Sequence, residues 1–341
     1  MVIATIVLAL MTAIHVMCGA ELGKINNHLF SYLLFVLLCF FFSDKEKTAG
    51  FIEYLKRKKT MIIIGITIVA AVELMLLVSG AGFVYKYNWG GTFFLGTNTM
   101  PHTLAYLMLA LLIIELAMCL ITGDKKTLIP APLFLFLIYE SGARIALPLA
   151  GIVSVAIIDV LFSKRNSLAF VRMLKVLVIM AIVFLLFKEK IMESDLVSKI
   201  QKREESGNSS AGRLYLWQDL LGRFYGAPEK WLIGFGDDKV YLYSKMNPMV
   251  RTSIWAHSDY IQIMIGKGIT GLSLYLMAIK DYFKTLIKDN GRLYTCMFMA
   301  YFVISSSLNG FYNYRDACVL IPFFVIINKY LSRKQKNEKD E

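Results

Sequence analysis

Three side chains of this sequence could support acid–base and anion chemistry. His257 carries an imidazole, which ordinarily titrates at about pH 6.5 and can accept a proton at neutral pH. Arg144 and Arg213 carry planar guanidinium groups that grip phosphate oxygens and stay charged. A simpler interpretation is that both arginines only bind lipid head groups and that His257 only begins a helix.

The residues that follow His257 do not supply an obvious acidic partner. Asp259 is two positions on and would not share a helix face with His257, so the spacing does not predict a His–Asp dyad. Tyr260 is three positions on and would share that face. Further candidates for binding a substrate are Trp217, Arg251, Tyr260, Lys267 and Arg315.

Motifs for metals and nucleotides are not found in the sequence. The five cysteines lie in or beside apolar segments, without a Cys-x-x-Cys pair and without a cluster of Cys and His. Phosphate-loop and dinucleotide fingerprints are absent as well, which argues against an ATP-driven pump. We therefore predict neither a metal site nor another cofactor.

The composition predicts a membrane protein. Hydrophobic residues make up 57% of the 341 residues and charged residues only 18%, against about 25% in soluble domains, and the mean hydropathy is +0.57. We expect an all-α, polytopic integral membrane protein with about ten transmembrane helices. The candidate spans are Val2–Cys18, Leu29–Phe42, Met61–Ser79, Thr103–Thr122, Leu128–Tyr139, Ile145–Phe162, Val171–Phe187, Tyr260–Ile279, Leu293–Leu308 and Ala317–Asn328.

The net charge of +12 is distributed unevenly between the connections. Most lysines and arginines fall on one side, in residues 45–59, 125–126, 164–175, 280–292 and 329–339. The short connections of the other side hold Lys24, Lys86, Arg144 and Arg315. The positive-inside rule then predicts that both termini are cytoplasmic. Because this asymmetry accounts for the charge, no nucleic-acid partner is expected.

The spans divide the sequence into four predicted regions. These are an N-terminal bundle of about seven spans (1–187), a large extracytoplasmic loop (188–257), a C-terminal bundle of about three spans (258–330) and a basic cytoplasmic tail (331–341). Within the loop, Leu214, Trp217, Leu221 and Phe224 recur at helical spacing, which predicts an amphipathic helix lying in the head-group layer. Residues 231–236 read as a turn with an exposed backbone.

Ionisable residues inside apolar spans are costly in lipid and often functional. Glu73, Glu115, Asp159 and Lys267 fall in this class. Lys267 lies well inside its span between two glycines, where it could snorkel, pair with Glu73 or face a wet cavity.

Several motifs occur together in a fixed order. Ser141-Gly142-Ala143-Arg144 follows a short span, and Arg213 precedes Trp217 by four residues. Further motifs are Gly234-x-Gly236, His257-x-x-Tyr260-x-Gln262 and Gly268-x-x-Gly271. Over roughly Tyr139 to Leu276, the sequence resembles the O-antigen ligase and polymerase family of polytopic membrane proteins.

The resemblance implies glycan assembly on the outer face of a bacterial inner membrane, on a fold of the C-type membrane glycosyltransferase class. Such proteins use sugars carried on undecaprenyl pyrophosphate and need neither a nucleotide sugar nor a metal. Arg144 and Arg213 would then hold the leaving pyrophosphate, and His257 would accept the proton of the acceptor hydroxyl. The sequence departs from the family pattern at Ser258, where Asn is frequent, and at Gly266-Lys267, where an acidic–apolar pair is frequent.

We expect a polysaccharide polymerase that transfers a growing glycan from undecaprenyl pyrophosphate to a lipid-linked repeat unit. The alternatives are an O-antigen ligase, which transfers the glycan to lipid A-core, and a glycan transporter or flippase. The expected partners are the lipid-linked oligosaccharide and membrane lipids, and they could include a flippase and a chain-length regulator. The absence of a visible repeat and the clustering of distinctive residues at the outer boundary argue against a transporter.

Overall fold

The computed structural model describes residues 2–17, 22–86, 91–162, 213–236, 241–243, 251–253, 256–289, 292–311 and 320–330. Its α-helices are α1 (Val2–Met17), α2 (Leu22–Phe42), α3 (Lys45–Arg57), α4 (Lys59–Ser79), α5 (Pro101–Thr122), α6 (Ala131–Glu140), α7 (Ala146–Phe162), α8 (Arg213–Tyr225), α9 (Asp259–Asp289), α10 (Arg292–Leu308) and α11 (Leu320–Tyr330). Short 3₁₀ turns cover Lys125–Leu128 and Pro228–Lys230.

Two small antiparallel hairpins accompany the helices. Strand β1 (Phe83–Lys86) pairs with β2 (Gly91–Phe94), and β3 (Tyr241–Tyr243) pairs with β4 (Arg251–Ser253). Phe83 lies opposite Phe94 in the first hairpin, and Tyr241 lies opposite Ser253 in the second. The prediction of a mostly helical protein is confirmed, whereas the hairpins were not predicted.

Three described helices are long and apolar enough to cross a membrane. They are α4, α5 and residues Asp259–Ile287 of α9. Shorter apolar helices lie at Leu29–Phe42, Ala146–Leu161, Thr295–Leu308 and Leu320–Tyr330. A membrane-spanning protein is therefore supported, while the figure of about ten spans stays a prediction. The predicted span Val171–Phe187 lies outside the described residues.

Contacts divide the chain into two compact units that do not follow chain order. The first unit is Met1–Lys45, Ser210–Thr285 and Phe302–Ile321, and the second is Glu46–Ser209, Leu286–Tyr301 and Pro322–Glu341. The four regions that the sequence suggested concern the membrane topology and remain a prediction.

Aromatic rings form the centre of the first unit. The Phe35 ring of α2 lies 4.8 Å from the Tyr275 ring of α9, 5.8 Å from that of Phe302 and 5.9 Å from that of Phe311, measured between centroids. The Tyr32 hydroxyl donates to the carbonyl of Gly271 over 2.6 Å. Because these large side chains are buried, they fix α2 firmly against α9.

Helix α9 is broken at Gly268, where φ is 66° and ψ is −169°. The break frees backbone groups that a continuous helix would pair internally. Residues 231–236 satisfy them. Phe235 N–H donates to Ile265 O (2.8 Å) and Gly236 N–H to Gly266 O (3.0 Å). In return, Ile269 N–H and Thr270 N–H donate to the carbonyls of Trp231 (2.8 Å) and Leu232 (3.3 Å).

We call the contact between the break in α9 and residues 231–236 the joint. Its glycines allow the two backbones to approach closely. A Cβ on Gly268 would collide with the Leu232 carbonyl, and one on Gly234 would lie 2.5 Å from the Gly266 carbonyl carbon. Gly234 also has a positive φ of 76°, which favours glycine. The prediction of an exposed backbone at 231–236 is therefore wrong, since both Gly234 and Gly236 are buried.

In the second unit, Glu73 anchors the turn that follows the first hairpin. Its Oε1 accepts hydrogen bonds from the backbone N–H of Thr97 (3.3 Å) and from the Thr97 hydroxyl (2.7 Å). Gly96 lies so close to this carboxylate that a Cβ there would overlap it. Glu73, offered by the sequence as a partner for Lys267, thus has a structural contact within its own unit.

Candidate active site

His257 is held in a strained backbone conformation. Its φ is 54°, and it is the non-glycine residue with a positive φ among those that the structure describes. Such a conformation costs on the order of 1–3 kcal/mol and persists only where the surroundings enforce it. Strained residues of this kind cluster at functional sites, which singles out His257 within the first unit.

Two hydrogen bonds fix the residue before His257. The indole N–H of Trp217 donates to the carbonyl of Ala256 over 2.6 Å. The backbone N–H of Ala256 donates to the Gln262 side-chain oxygen over 3.0 Å. Ala256 is fully buried, so the chain enters His257 from a rigid point. The spacing of Trp217 and Gln262 to the histidine is therefore explained by this clamp.

Helix α8 delivers Trp217 by packing against α9. Its buried face consists of Leu216, Leu220 and Phe224, which form a cluster with Ala256 and Ile265. The predicted amphipathic helix is confirmed. Of its predicted apolar face, Phe224 is buried and Trp217 packs against the cluster, whereas Leu214 is 56% exposed. Its position in the head-group layer stays a prediction.

The surroundings of His257 shift the pKa of its imidazole. Burial lowers the pKa of His257 from its ordinary value, and the positive charge of Arg213 lowers it further. A hydrogen bond with the Asn309 side chain acts in the opposite direction and raises the pKa. The net effect is a lowered pKa, so at neutral pH the imidazole is uncharged, which is the form that accepts a proton. Its Nδ1 is buried without a hydrogen-bond partner in the described part of the chain.

Asp259 ties the start of α9 to the turn that carries Asn309. Its Oδ2 accepts from the hydroxyl of Tyr275 (2.9 Å) and from the backbone N–H of Phe311 (2.7 Å). The carboxylate is 0% exposed, and Gly310 closes the turn with a φ of 95°. The spacing did not predict a pair between Asp259 and His257, and in the structure Asp259 instead holds the turn that contains Asn309.

Asn309 is the residue that sequence reasoning missed. Asn309-Gly310 follows the apolar helix α10, and Asn-Gly after a helix is typical of a simple C-terminal cap. The serine run that precedes it, at 305–307, is a polar signal near the end of an apolar span that could have drawn notice to it.

The other predicted residues lie in varied settings. Tyr260 is half-buried in the first turn of α9, with its ring 6.2 Å from that of Tyr275. Lys267 is only 3% exposed, and its Nζ lies 5.2 Å from the Tyr32 ring centroid, a cation–π contact within the protein. Arg251 pairs with Tyr243 in the second hairpin, and Arg315 lies outside the described residues.

Arg144 lies in the second unit, in the turn between α6 and α7. The turn is shaped by Ser141, whose hydroxyl donates to Ile138 O (2.7 Å) and accepts from the backbone N–H of Ala143 (3.3 Å). Gly142 has a φ of 66° and faces the Phe93 ring so closely that a Cβ would overlap it. The Ser-Gly-Ala-Arg sequence thus builds a defined turn that presents a half-buried arginine.

Residues 128–276 match the family model described as O-antigen ligase. Over these residues the chain is therefore similar to O-antigen ligases. This confirms the resemblance to the O-antigen ligase and polymerase family that the motifs indicated. Members of the family are glycosyltransferase-like enzymes of membranes. No curated protein and no solved structure matches the chain.

The matched region, residues 128–276, contains the residues with the most defined geometry. Arg144, Arg213 and His257 all fall inside it, together with the glycines of the α9 break, whereas Asn309 lies beyond it. Chemically, a neutral imidazole beside an arginine can accept a hydroxyl proton while the guanidinium holds a phosphate. Within the described ranges no cluster of three or more His, Cys, Asp or Glu side chains could hold a metal ion.

Proposed function

We propose that the protein is a polysaccharide polymerase. It transfers a growing glycan from undecaprenyl pyrophosphate to a lipid-linked repeat unit on the outer face of a bacterial inner membrane. The observation that supports this most is the strained His257, whose pKa is lowered by burial and by Arg213, within the region that matches the O-antigen ligase model. Such an arrangement fits transfer between a phosphate leaving group and a hydroxyl acceptor.

The proposed reaction is a single displacement at the anomeric carbon of the growing glycan. His257 takes the proton from a hydroxyl of the acceptor sugar, and that oxygen forms a bond to the anomeric carbon. The bond between this carbon and the pyrophosphate oxygen breaks, and its electron pair stays on the pyrophosphate. Arg213 stabilises the negative charge that develops there. Arg144, in the second unit, remains a separate candidate for binding phosphate.

Purified full-length protein with lipid-linked repeat units provides the test. Wild-type protein is expected to yield a ladder of longer lipid-linked glycans. Arg213→Ala removes an electrostatic contact to the leaving group and should slow transfer by about 10²–10³-fold. Arg223→Ala is the matched control, since it lies on the same helix α8 and is paired with Asp219.

His257→Ala should also abolish elongation, with His102→Ala as its control. Normal ladders from both site variants would contradict the proposed site.

An O-antigen ligase is the second candidate, favoured by the description of the family model itself. The same chemistry would apply, with lipid A-core as the acceptor. A reaction that contains polymer on the carrier lipid together with lipid A-core separates the two functions. Transfer to lipid A-core without any elongation of repeat units would favour the ligase over the polymerase.

A further inference from the structure

A cavity of about 230 Å³ in the second unit is lined by residues that the candidate active site does not use. It is bounded by α4, α5 and the connection between α5 and α6. Its polar lining consists of Glu115, Thr67, Thr127 and Lys126, and the rest is apolar. None of these residues belongs to the unit that holds His257.

Glu115 is the unusual member of this lining. It is 1% exposed, and both of its carboxylate oxygens are buried without a hydrogen-bond partner in the described ranges. A buried carboxyl group with no partner is strongly unfavourable in an apolar environment, because it has lost its hydrogen bonds to water. Native proteins rarely leave such a group unsatisfied, so a ligand of the cavity is its natural partner.

The two threonines show which kind of ligand fits. The Thr67 hydroxyl donates to the Ile63 carbonyl (2.8 Å), and the Thr127 hydroxyl donates to the Asp124 carbonyl (2.8 Å). Because both protons are already used, these oxygens can only accept further hydrogen bonds. When Glu115 is ionised, its carboxylate and these two oxygens offer acceptors alone. The ligand group beside them must therefore be a donor, and a primary ammonium has three N–H donors.

Lys126 indicates that the ammonium belongs to a larger molecule. Its own positive charge at the same cavity would repel a free cation, but it would attract a phosphate. Helix α4 is a candidate membrane span of which only 17% of the apolar stretch is buried inside the protein, so the cavity borders a helix that faces lipid. Phosphate and ammonium occur together in the head group of an aminophospholipid.

We propose that this cavity binds the head group of phosphatidylethanolamine, with the ammonium at Glu115 and the phosphate at Lys126. The carboxylate and the threonine oxygens select a primary ammonium over the quaternary ammonium of phosphatidylcholine, which has no N–H to donate. This inference does not depend on the proposed glycosyl transfer.

Native mass spectrometry of the full-length protein in detergent tests the proposal. Phosphatidylethanolamine, phosphatidylcholine and phosphatidylglycerol with identical acyl chains are added in turn. Phosphatidylethanolamine should bind at least about tenfold more tightly than the other two, a difference of about 1.4 kcal/mol, which one charge-assisted hydrogen bond can supply. Equal binding of the three lipids would overturn the proposal.

Two variants and one competitor locate the selectivity. Glu115→Gln removes the counter-charge and should abolish the preference, whereas Glu73→Gln changes a buried carboxylate outside the cavity and should keep it. Lys126→Ala changes an exposed residue, so it leaves the core intact, and it should weaken binding of phosphatidylethanolamine. A preference unchanged in Glu115→Gln contradicts the proposal. So does displacement by free ethanolamine at the same concentration as the lipid, which would identify a free amine as the ligand.

Discussion

At His257, two influences lower the pKa of the imidazole and one raises it. Burial and the charge of Arg213 favour the neutral ring, while Asn309 favours the protonated ring. A general base works in its neutral form, so its activity is present above its pKa and is lost as the pH falls through that pKa. Because the pKa is depressed below about 6.5, we expect activity to extend into mildly acidic solution.

Substitution of the two neighbours should move this acid limit in opposite directions. Arg213→Gln removes a positive charge, which raises the pKa of His257 and shifts the acid limb of the pH–rate profile to higher pH. Asn309→Ala removes the hydrogen bond that raised the pKa, and it shifts the limb to lower pH. The measurement is the rate of glycan transfer against pH, with each variant normalised to its own maximum.

Arg223→Gln serves as the control for charge at a distance along α8, and its acid limb should coincide with that of the wild type. Shifts of the same sign in Arg213→Gln and Asn309→Ala would show that His257 is not the titrating group.

The sequence could single out Arg213 and His257 as candidates because their side-chain chemistry is distinctive even without a structure. It could not identify Asn309, because its contribution depends on the tie between Asp259 and the backbone of Phe311, which joins segments far apart in the chain. The environment of an imidazole is set by such tertiary contacts. Motif spacing within one helix does not contain this information.

Among the elements, the broken helix α9 and the segment 231–236 form a single joint. The four backbone hydrogen bonds across the break replace those that the helix gives up at Gly268. The same helix begins at Asp259, two residues after His257, so the joint and the candidate site are parts of one element. A substitution that disrupts the joint should therefore also disturb the candidate site.

Gly268→Ala should destabilise the first unit strongly. The new Cβ would meet the Leu232 carbonyl, and the residue would keep an unfavourable left-handed φ, so the free energy of unfolding should fall by at least about 2 kcal/mol. Thermal unfolding in detergent measures the effect. Gly222→Ala is the control, because Gly222 is an exposed residue of α8 with open space around it. That change should leave stability equal or raise it, as alanine favours helix by about 1 kcal/mol. If the Gly268→Ala protein were as stable as the Gly222→Ala protein, the close backbone contact at Gly268 would not be needed for stability.

Helix α8 shows why the sequence located elements better than it oriented them. Its leucines at 214, 216, 220 and 221 allow two overlapping apolar faces, and periodicity alone cannot choose between them. Contact with Ala256 and Ile265 makes the choice in the folded protein. The sequence could locate the motif glycines because glycine indicates an unusual backbone conformation or a close backbone contact. It could not show which segment makes that contact.

For the whole molecule, charge distribution remains the best guide to orientation. The connection that begins with Lys125 and Lys126 directly follows α5, a helix long enough to cross a membrane. The positive-inside rule therefore predicts that this connection is cytoplasmic. With about ten spans, the long loop then lies on the opposite side.

Reporter fusions test this orientation directly. A fusion at Asn208, in the long loop, should be active only as an extracytoplasmic reporter. A fusion at Asp124 should be active only as a cytoplasmic reporter, and it shows that the fused protein inserts. If both positions report the same side, the number of crossings between them is even and the predicted arrangement is wrong.

The joint at Gly268 holds the segment 231–236 through main-chain atoms. Its hydrogen bonds run from main chain to main chain, so they do not depend on which side chains stand at Leu232 or Ile233. Substitutions there can reshape the surface of the segment while its position stays fixed. A protein built in this way can change the surface of this segment without rebuilding the joint that holds it to α9.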